Sequence, residues 1–186
     1  MNTTLLKKCR YWPFYCEENV WSLCQAACGQ PVDARAVVVT GQDGPVAFLR
    51  QRALPAEECI LTWDYHVFLL FREPHRSWKV FDPDTILPQP CSADVYALGS
   101  FPDLDPTASG YRPRFRCVEA SLYVKTFCSD RRHMRDASGQ YFQTPPPWPT
   151  VGHGHNLDRL IDMSDPFVGE ILDDKEFRLQ FGENTP

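Results

Sequence analysis

Three residues sit in contexts that could together carry acyl transfer through sulfur: Cys16, His66 and Asp82. Cys16 heads the amphipathic run Cys16-Glu-Glu-Asn-Val-Trp-Ser-Leu-Cys-Gln-Ala-Ala-Cys28. At a helix start, unpaired N–H groups and the positive end of the dipole favour an anion. Here the anion would be a thiolate, the nucleophilic form of cysteine, and an imidazolium beside it would lower the thiol pKa further. His66 lies in Leu61-Thr-Trp-Asp-Tyr-His-Val-Phe-Leu-Leu70, and Asp82 in Trp78-Lys-Val-Phe-Asp-Pro-Asp84. A nucleophile, a base and a group that orients the base form the general logic of a catalytic triad.

Each residue also has a plainer reading. Most cysteines are small buried hydrophobes, and Cys24, Cys28, Cys59 and Cys117 read that way. Cys16 is therefore expected to alkylate well ahead of Cys24 and Cys28. His66 could be a satisfied core histidine, and Asp82 and Asp84 around Pro83 could be turn formers. Zinc is the main chemical rival, with Cys24 and Cys28 one helical turn apart and His153 and His155 in Gly152-His-Gly-His-Asn156. There is no Cys-x-x-Cys pair and no His-Glu-x-x-His, so no metal is expected. No glycine-rich phosphate-binding motif supports nucleotide use.

The elements that must position these groups follow from periodicity. Val20, Leu23, Cys24 and Ala27 share one face of a helix expected over 17–28, which Gly29 and Pro31 stop. Strands are expected at Ala34–Thr40, Pro45–Arg52, Ile60–Arg72, Ser77–Phe81 and Phe115–Ala120. Further helices are expected at Ala120–Phe127, Asn156–Met163 and Lys175–Phe181. Between Leu87 and Pro106 the prolines suggest loop. His66 and Asp82 are both even-numbered, so a hairpin puts them on one face only if paired positions sum to an even number. A sum of 148 would set them directly opposite, and both are expected to face the helix that starts at Cys16.

The 186 residues suit one domain, 1–186. With 19 Lys and Arg against 24 Asp and Glu, the net charge of −5 argues against nucleic-acid binding. No apolar stretch reads as a signal peptide or membrane span. Eight scattered cysteines without a leader suggest free thiols in a reducing compartment. A monomer in the cytoplasm, with the nucleus also open to it, is the expectation.

The motifs Tyr15-Cys-Glu-Glu-Asn-Val-Trp21, Trp63-Asp-Tyr-His-Val67 and Phe81-Asp-Pro-Asp-Thr-Ile-Leu-Pro88 resemble the protein N-terminal glutamine amidohydrolase family. So do Ser129-Asp-Arg-Arg-His-Met134, the run Thr144-Pro-Pro-Pro-Trp-Pro149 and the tail Asp165-Pro-Phe-Val-Gly169. The resemblance spans nearly the whole chain in the same motif order. It implies an α+β, papain-like/transglutaminase-like α-β-α arrangement with a mainly antiparallel central sheet and the nucleophile at a helix N-terminus. It also implies a cofactor-free site, with Cys16 on the nucleophile, His66 on the base and Asp82 on the orienting acid. The implied reaction turns the N-terminal glutamine of a protein or peptide into glutamate and feeds the arginine branch of the N-degron pathway. Reading a free α-ammonium calls for a carboxylate, and Asp64, Glu17 and Glu18 are the candidates, with Asp64 first because it shares parity with His66. The alternatives are a cysteine peptidase or acyltransferase with the same triad, or a non-catalytic module that uses Pro145–Pro149.

Overall fold

A computed structural model describes residues 10–54 and 57–182. The first helix, α1, runs Cys16–Ala27 and buries Val20, Leu23, Cys24 and Ala27 along one side. It ends at Cys28, and Gly29 then takes a φ of +79°, a conformation that a side chain would disfavour.

Strand β1, Asp33–Gly41, is the centre of the molecule. Its Val37-Val38-Val39 run is fully buried on both sides, as a strand covered on both faces requires. Next come β2, Val46–Phe48; β3, Leu61–Trp63; β4, His66–Arg72; β5, Lys79–Phe81; and β6, Cys91–Ser92. Helix α2, Ala93–Ser100, is followed by β7, Pro113–Glu119, and α3, Ala120–Thr126. The last elements are α4, Leu157–Ile161; β8, Glu170–Asp173; and α5, Asp174–Phe181.

Six strands form one antiparallel sheet in the order β6-β5-β4-β1-β7-β8, while β2 and β3 pair separately. Alternation along β1 sorts the core into two layers. Ala36 and Val38 pack with α1, α3 and α4. Val37 and Val39 pack on the other face with α2 and α5, around Phe68, Phe115 and Phe177. Each fully buried side chain of this size contributes about 1.5–3 kcal/mol. No described helix is long and apolar enough to cross a membrane.

Two expectations change here. The strand expected over Ile60–Arg72 is broken at Asp64 and Tyr65. Trp63 pairs with Val46 in the small sheet, whereas His66 pairs with Val39 in the large one. The break redirects the chain between sheets, so parity along a single strand does not relate Asp64 to His66. The proline-rich stretch also contains α2, whose Ser92 cap accepts a hydrogen bond from the Val95 N–H at 3.3 Å. Prolines at 88 and 90 end before the helix begins and do not oppose it.

The β4–β5 register is Leu69↔Phe81, a sum of 150 rather than 148. A two-residue offset keeps parity, so His66 and Asp82 still share a face. That face is the one packed by α2, opposite α1, because His66 alternates with Phe68 and Leu70, and Asp82 with Val80. The expectation that both face α1 is therefore corrected. They meet Cys16 around the end of the sheet, where β4 begins and β5 has ended.

Candidate active site

Cys16 is the first residue of α1. Asn19 ties the incoming chain to the first turn: its Oδ1 accepts from the Trp12 N–H and its Nδ2 donates to the Trp12 carbonyl, both at 2.9 Å. The Tyr15 ring is fully buried and its hydroxyl donates to the Gln143 carbonyl at 3.1 Å. Phe14 holds a φ of +66°, a left-handed strain on the order of 1–2 kcal/mol that turns the chain into the helix.

His66 opens β4 and is 2% exposed. Its Nε2 donates to Asp82 Oδ1 at 3.0 Å, which leaves Nδ1 for Cys16. Phe48 meets the ring edge-on at 5.3 Å and Trp63 lies nearly parallel to it at 6.3 Å. Asp82 is fully buried but fully engaged. Its Oδ1 also accepts from the Asp84 N–H at 2.9 Å, and its Oδ2 accepts from the Tyr96 hydroxyl at 2.8 Å. Its own N–H donates to Gln89 Oε1 at 2.8 Å.

These contacts set the charges. Burial works to lower the His66 pKa, yet the charges of Asp82 and Cys16 outweigh it and hold the ring well above 6.5. Burial works to raise Asp82, and His66 outweighs it, keeping the carboxyl below its ordinary value. Cys16 goes the other way from the sequence expectation. Burial pushes its thiol up to about 11, against the opposing charge and hydrogen bond of His66. At 8% exposure the resting sulfur is too poorly hydrated for the imidazolium to win.

The thiol and the ring meet at the floor of a cavity of about 400 Å³. Tyr11, Phe14, Trp63 and Met134 supply apolar walls, and Asp64, Asp84 and Arg52 supply charge. Of the three carboxylates expected to meet substrate, Asp64 lines the cavity and is exposed. Glu18 does not reach it. Its two oxygens take Arg131 Nε and Nη2 at 2.7 and 2.8 Å, and Trp148 Nε1 at 2.8 Å, so this carboxylate is consumed by structure. Glu17 is fully buried behind the thiol rather than in the cavity.

Arg131 also donates to the carbonyls of Pro146, Trp148 and Pro149, at 3.2, 2.9 and 3.4 Å. The proline run is thereby laid against the helix start by three of its carbonyls. Among the cysteines read as buried, Cys24 and Cys117 are buried, but Cys28 and Cys59 are exposed. Cys28 follows the last turn of α1, and its alkylation is expected to outpace that of Cys16.

Sequence reasoning missed Tyr96 and Gln89, the partners of Asp82, because the segment that carries them was read as loop. It also missed Trp63 as the ring beside His66, though its place three residues before the histidine in the motif was a signal.

His66, Asp82 and Asp84 each offer a donor atom within 4.8 Å of the others. Most of their polar atoms are engaged within the protein: His66 Nε2 and both Asp82 oxygens as above, and Asp84 Oδ1 by the Tyr11 hydroxyl at 2.7 Å. Prolonged chelation is therefore expected to leave activity and melting temperature unchanged. Stoichiometric zinc in the purified protein, with activity lost on its removal, would overturn this.

A helix-start thiol and an imidazole at the floor of one cavity, with a buried carboxylate behind the imidazole, form the arrangement of a cysteine-dependent amidase or acyltransferase. Comparison narrows the class. The N-terminal glutamine amidase family model matches residues 11–181. The protein N-terminal glutamine amidohydrolase of Homo sapiens is 36% identical over 186 residues, covering 95% of this chain and 90% of its own. That of Danio rerio is 36% identical over 184 residues, covering 94% and 90%. The Drosophila melanogaster protein of the same name is 34% identical over 161 residues, covering 84% and 78%. The chain belongs to the N-terminal glutamine amidase family.

Proposed function

We propose that this chain hydrolyses the side-chain amide of an N-terminal glutamine in proteins or peptides, giving N-terminal glutamate and ammonia through a thioester on Cys16. The observation that carries this reading is Cys16 and His66 at the floor of an apolar-walled cavity, with Asp82 bonded to the ring from behind. Family membership supports it, since the curated relatives are named for that activity. We assign the fold to the papain-like/transglutaminase-like type, acting as one catalytic domain and as a monomer in the cytoplasm. The product would enter the arginine branch of the N-degron pathway.

Binding a neutral amide over the thiol displaces water and brings the sulfur to the γ-carboxamide carbon. Attack starts from the form in which Cys16 and His66 together hold one proton; as the C–S bond forms, that proton rests on His66, which Asp82 stabilises as imidazolium. The carbonyl oxygen becomes an oxyanion near the first N–H groups of α1, which have no intrahelical acceptor. One such donor is worth about 10²–10³ in rate. The C–N bond then breaks, and the imidazolium proton leaves with the nitrogen as ammonia. His66, now neutral, takes a proton from water as its oxygen attacks the thioester. The C–S bond breaks, the sulfur regains a proton through His66, and glutamate leaves. One water is consumed for each ammonia released.

Asp64, exposed on the cavity wall, is the carboxylate that reads the α-ammonium in this proposal. The proline run has three carbonyls and the Trp148 indole N–H engaged within the protein, which disfavours the interaction-module reading. Mass spectrometry of peptides that begin with glutamine tests the proposal. A gain of about one mass unit at residue one is the expected result. Acetylating the amine, or moving glutamine one position inward, should abolish the gain. Comparable turnover of acetylated or internal glutamine would mean a general protein glutaminase, and backbone cleavage would mean a peptidase.

A further inference from the structure

Directly behind the nucleophile lies a buried carboxylate that the reaction above does not use. Glu17 is 0% exposed. Its Oε2 is 3.7 Å from the Cys16 sulfur and accepts from the Tyr65 hydroxyl at 3.1 Å. Its Oε1 lies 3.4 Å from Nε2 of His133, and that nitrogen is also 3.2 Å from the Tyr65 hydroxyl. His133 belongs to a 3-10 turn over Arg132–Met134 and stacks on His155 at 5.4 Å. The turn is anchored next to α1 by the Arg131–Glu18 pair and reaches the cavity through Met134.

A carboxylate this close to sulfur opposes its ionisation, and Glu17 is among the charges that hold the Cys16 thiol up. Buried and unanswered, it would also be costly to the fold. The other charged and titratable groups near it do not answer it. From α1, Cys16 is the group to be ionised and Glu18 is taken by Arg131. From β4, His66 is turned to Asp82. From α3, the Tyr123 hydroxyl donates to the Glu17 carbonyl at 3.3 Å, not to its carboxylate. Behind His133, His155 faces Asp130 and Asp158, both at 3.7 Å. The Tyr65 hydroxyl donates to Glu17 Oε2, and His133 Nε2 is the nitrogen within ion-pair distance of Oε1, which accepts no hydrogen bond among the described residues.

We propose that His133 is a positioning residue for the nucleophile: acting on Glu17 together with Tyr65, it compensates the carboxylate charge behind Cys16 so that the thiolate can form. The proposal rests on the reading of Cys16 as the nucleophile. It adds a second polar support on the α1 side of the sulfur, opposite the His66–Asp82 support.

The test is the pH dependence of Cys16 alkylation by iodoacetamide in the full-length protein without substrate, followed at the Cys16 peptide, with melting temperature measured alongside. Removing the compensation in His133→Asn should move the alkylation midpoint up by about one pH unit. At a fixed pH below the midpoint, alkylation would then be about tenfold slower. Removing the charge in Glu17→Gln should move the midpoint down by a similar amount, and adding His133→Asn to Glu17→Gln should shift it no further. Unchanged midpoints in both single variants, with only a lower melting temperature, would make the contact a clamp for the turn and overturn the proposal. If His133→Asn does not fold, the near-isosteric Glu17→Gln decides alone, and an unchanged or raised midpoint overturns the proposal. The readout needs no substrate, so its failure leaves the deamidation reading standing. Correct shifts without glutamine turnover would sink that reading instead.

Discussion

Cys16→Ser is expected to abolish glutamine turnover, by about 10⁴-fold or more, in a protein that still folds. The hydroxyl of serine has no comparable ionised fraction near neutral pH, and His66 alone does not supply one. The sulfur also has an advantage that oxygen lacks: its lower pKa makes thiolate the better leaving group when the thioester breaks down. The structural cost is small. Cys16 is 8% exposed at the start of a helix, and its side chain's polar contacts are the one to His66 and the long 3.7 Å one to Glu17. A loss of about 1 kcal/mol, read as a modest drop in melting temperature, is the expected scale. Ammonia release and thermal unfolding measured on the same preparation check both halves. Near-normal turnover in a folded Cys16→Ser protein would remove Cys16 from the mechanism. In the parent protein, Cys16 should still alkylate ahead of Cys24, whose thiol is fully buried and pushed up further by that burial.

Asp82→Asn is expected to lower the rate by about 10⁴-fold while the fold persists. Every contact to the Asp82 carboxylate in this site is a donor pointing at it: His66 Nε2, the Asp84 N–H and the Tyr96 hydroxyl. An amide can accept on one side only. If its NH2 faces His66, Nε2 must become the acceptor and the ring proton moves to Nδ1, the nitrogen that should receive the Cys16 proton. If it faces Tyr96, that hydroxyl loses its acceptor. Either mispairing costs about 1–3 kcal/mol of stability, against about 5 kcal/mol of barrier for the rate. The rate should therefore fall much further than stability, and full activity in Asp82→Asn would refute the triad.

The same substitution has a pH signature. The folded Asp82 carboxyl lies below its ordinary 3.8, so its contribution is present above that value and is lost as pH falls through the lowered one. The folded His66 lies above 6.5, so its contribution is full below that value and is lost as pH rises through the raised one. Between 3.8 and 6.5 both are present. The stability gap between the parent and Asp82→Asn should be widest there and should narrow on acidification.

The sequence by itself determined what depends on near neighbours. The period of Val20, Leu23, Cys24 and Ala27 placed α1 within a residue of its bounds, Cys16–Ala27, because helical contacts span only three or four positions. Side-chain alternation is equally local, so an even spacing was enough to allow His66 and Asp82 one face. The residue types also carried the chemistry, since a thiol, an imidazole and a carboxylate have few other joint uses.

Tertiary structure decided the rest. The β4–β5 register came out at a sum of 150, and the strand break at Asp64 and Tyr65 arose because β3 and β4 pair in different sheets. Which face of the central sheet carries His66 depended on where α1 and α2 pack. The ionisation of Cys16 turned on burial by groups distant in sequence, which outweighed the dipole and imidazole that the local sequence advertises. Glu17 and Glu18 make the point most directly, as two like residues in one helical turn that local rules cannot tell apart. Arg131, arriving from 113 positions away, takes Glu18, while Tyr65 donates to Glu17 and His133 comes within 3.4 Å of it. The partners of a buried charge are chosen by the long-range packing that excludes water from it, and no spacing along the chain records that choice.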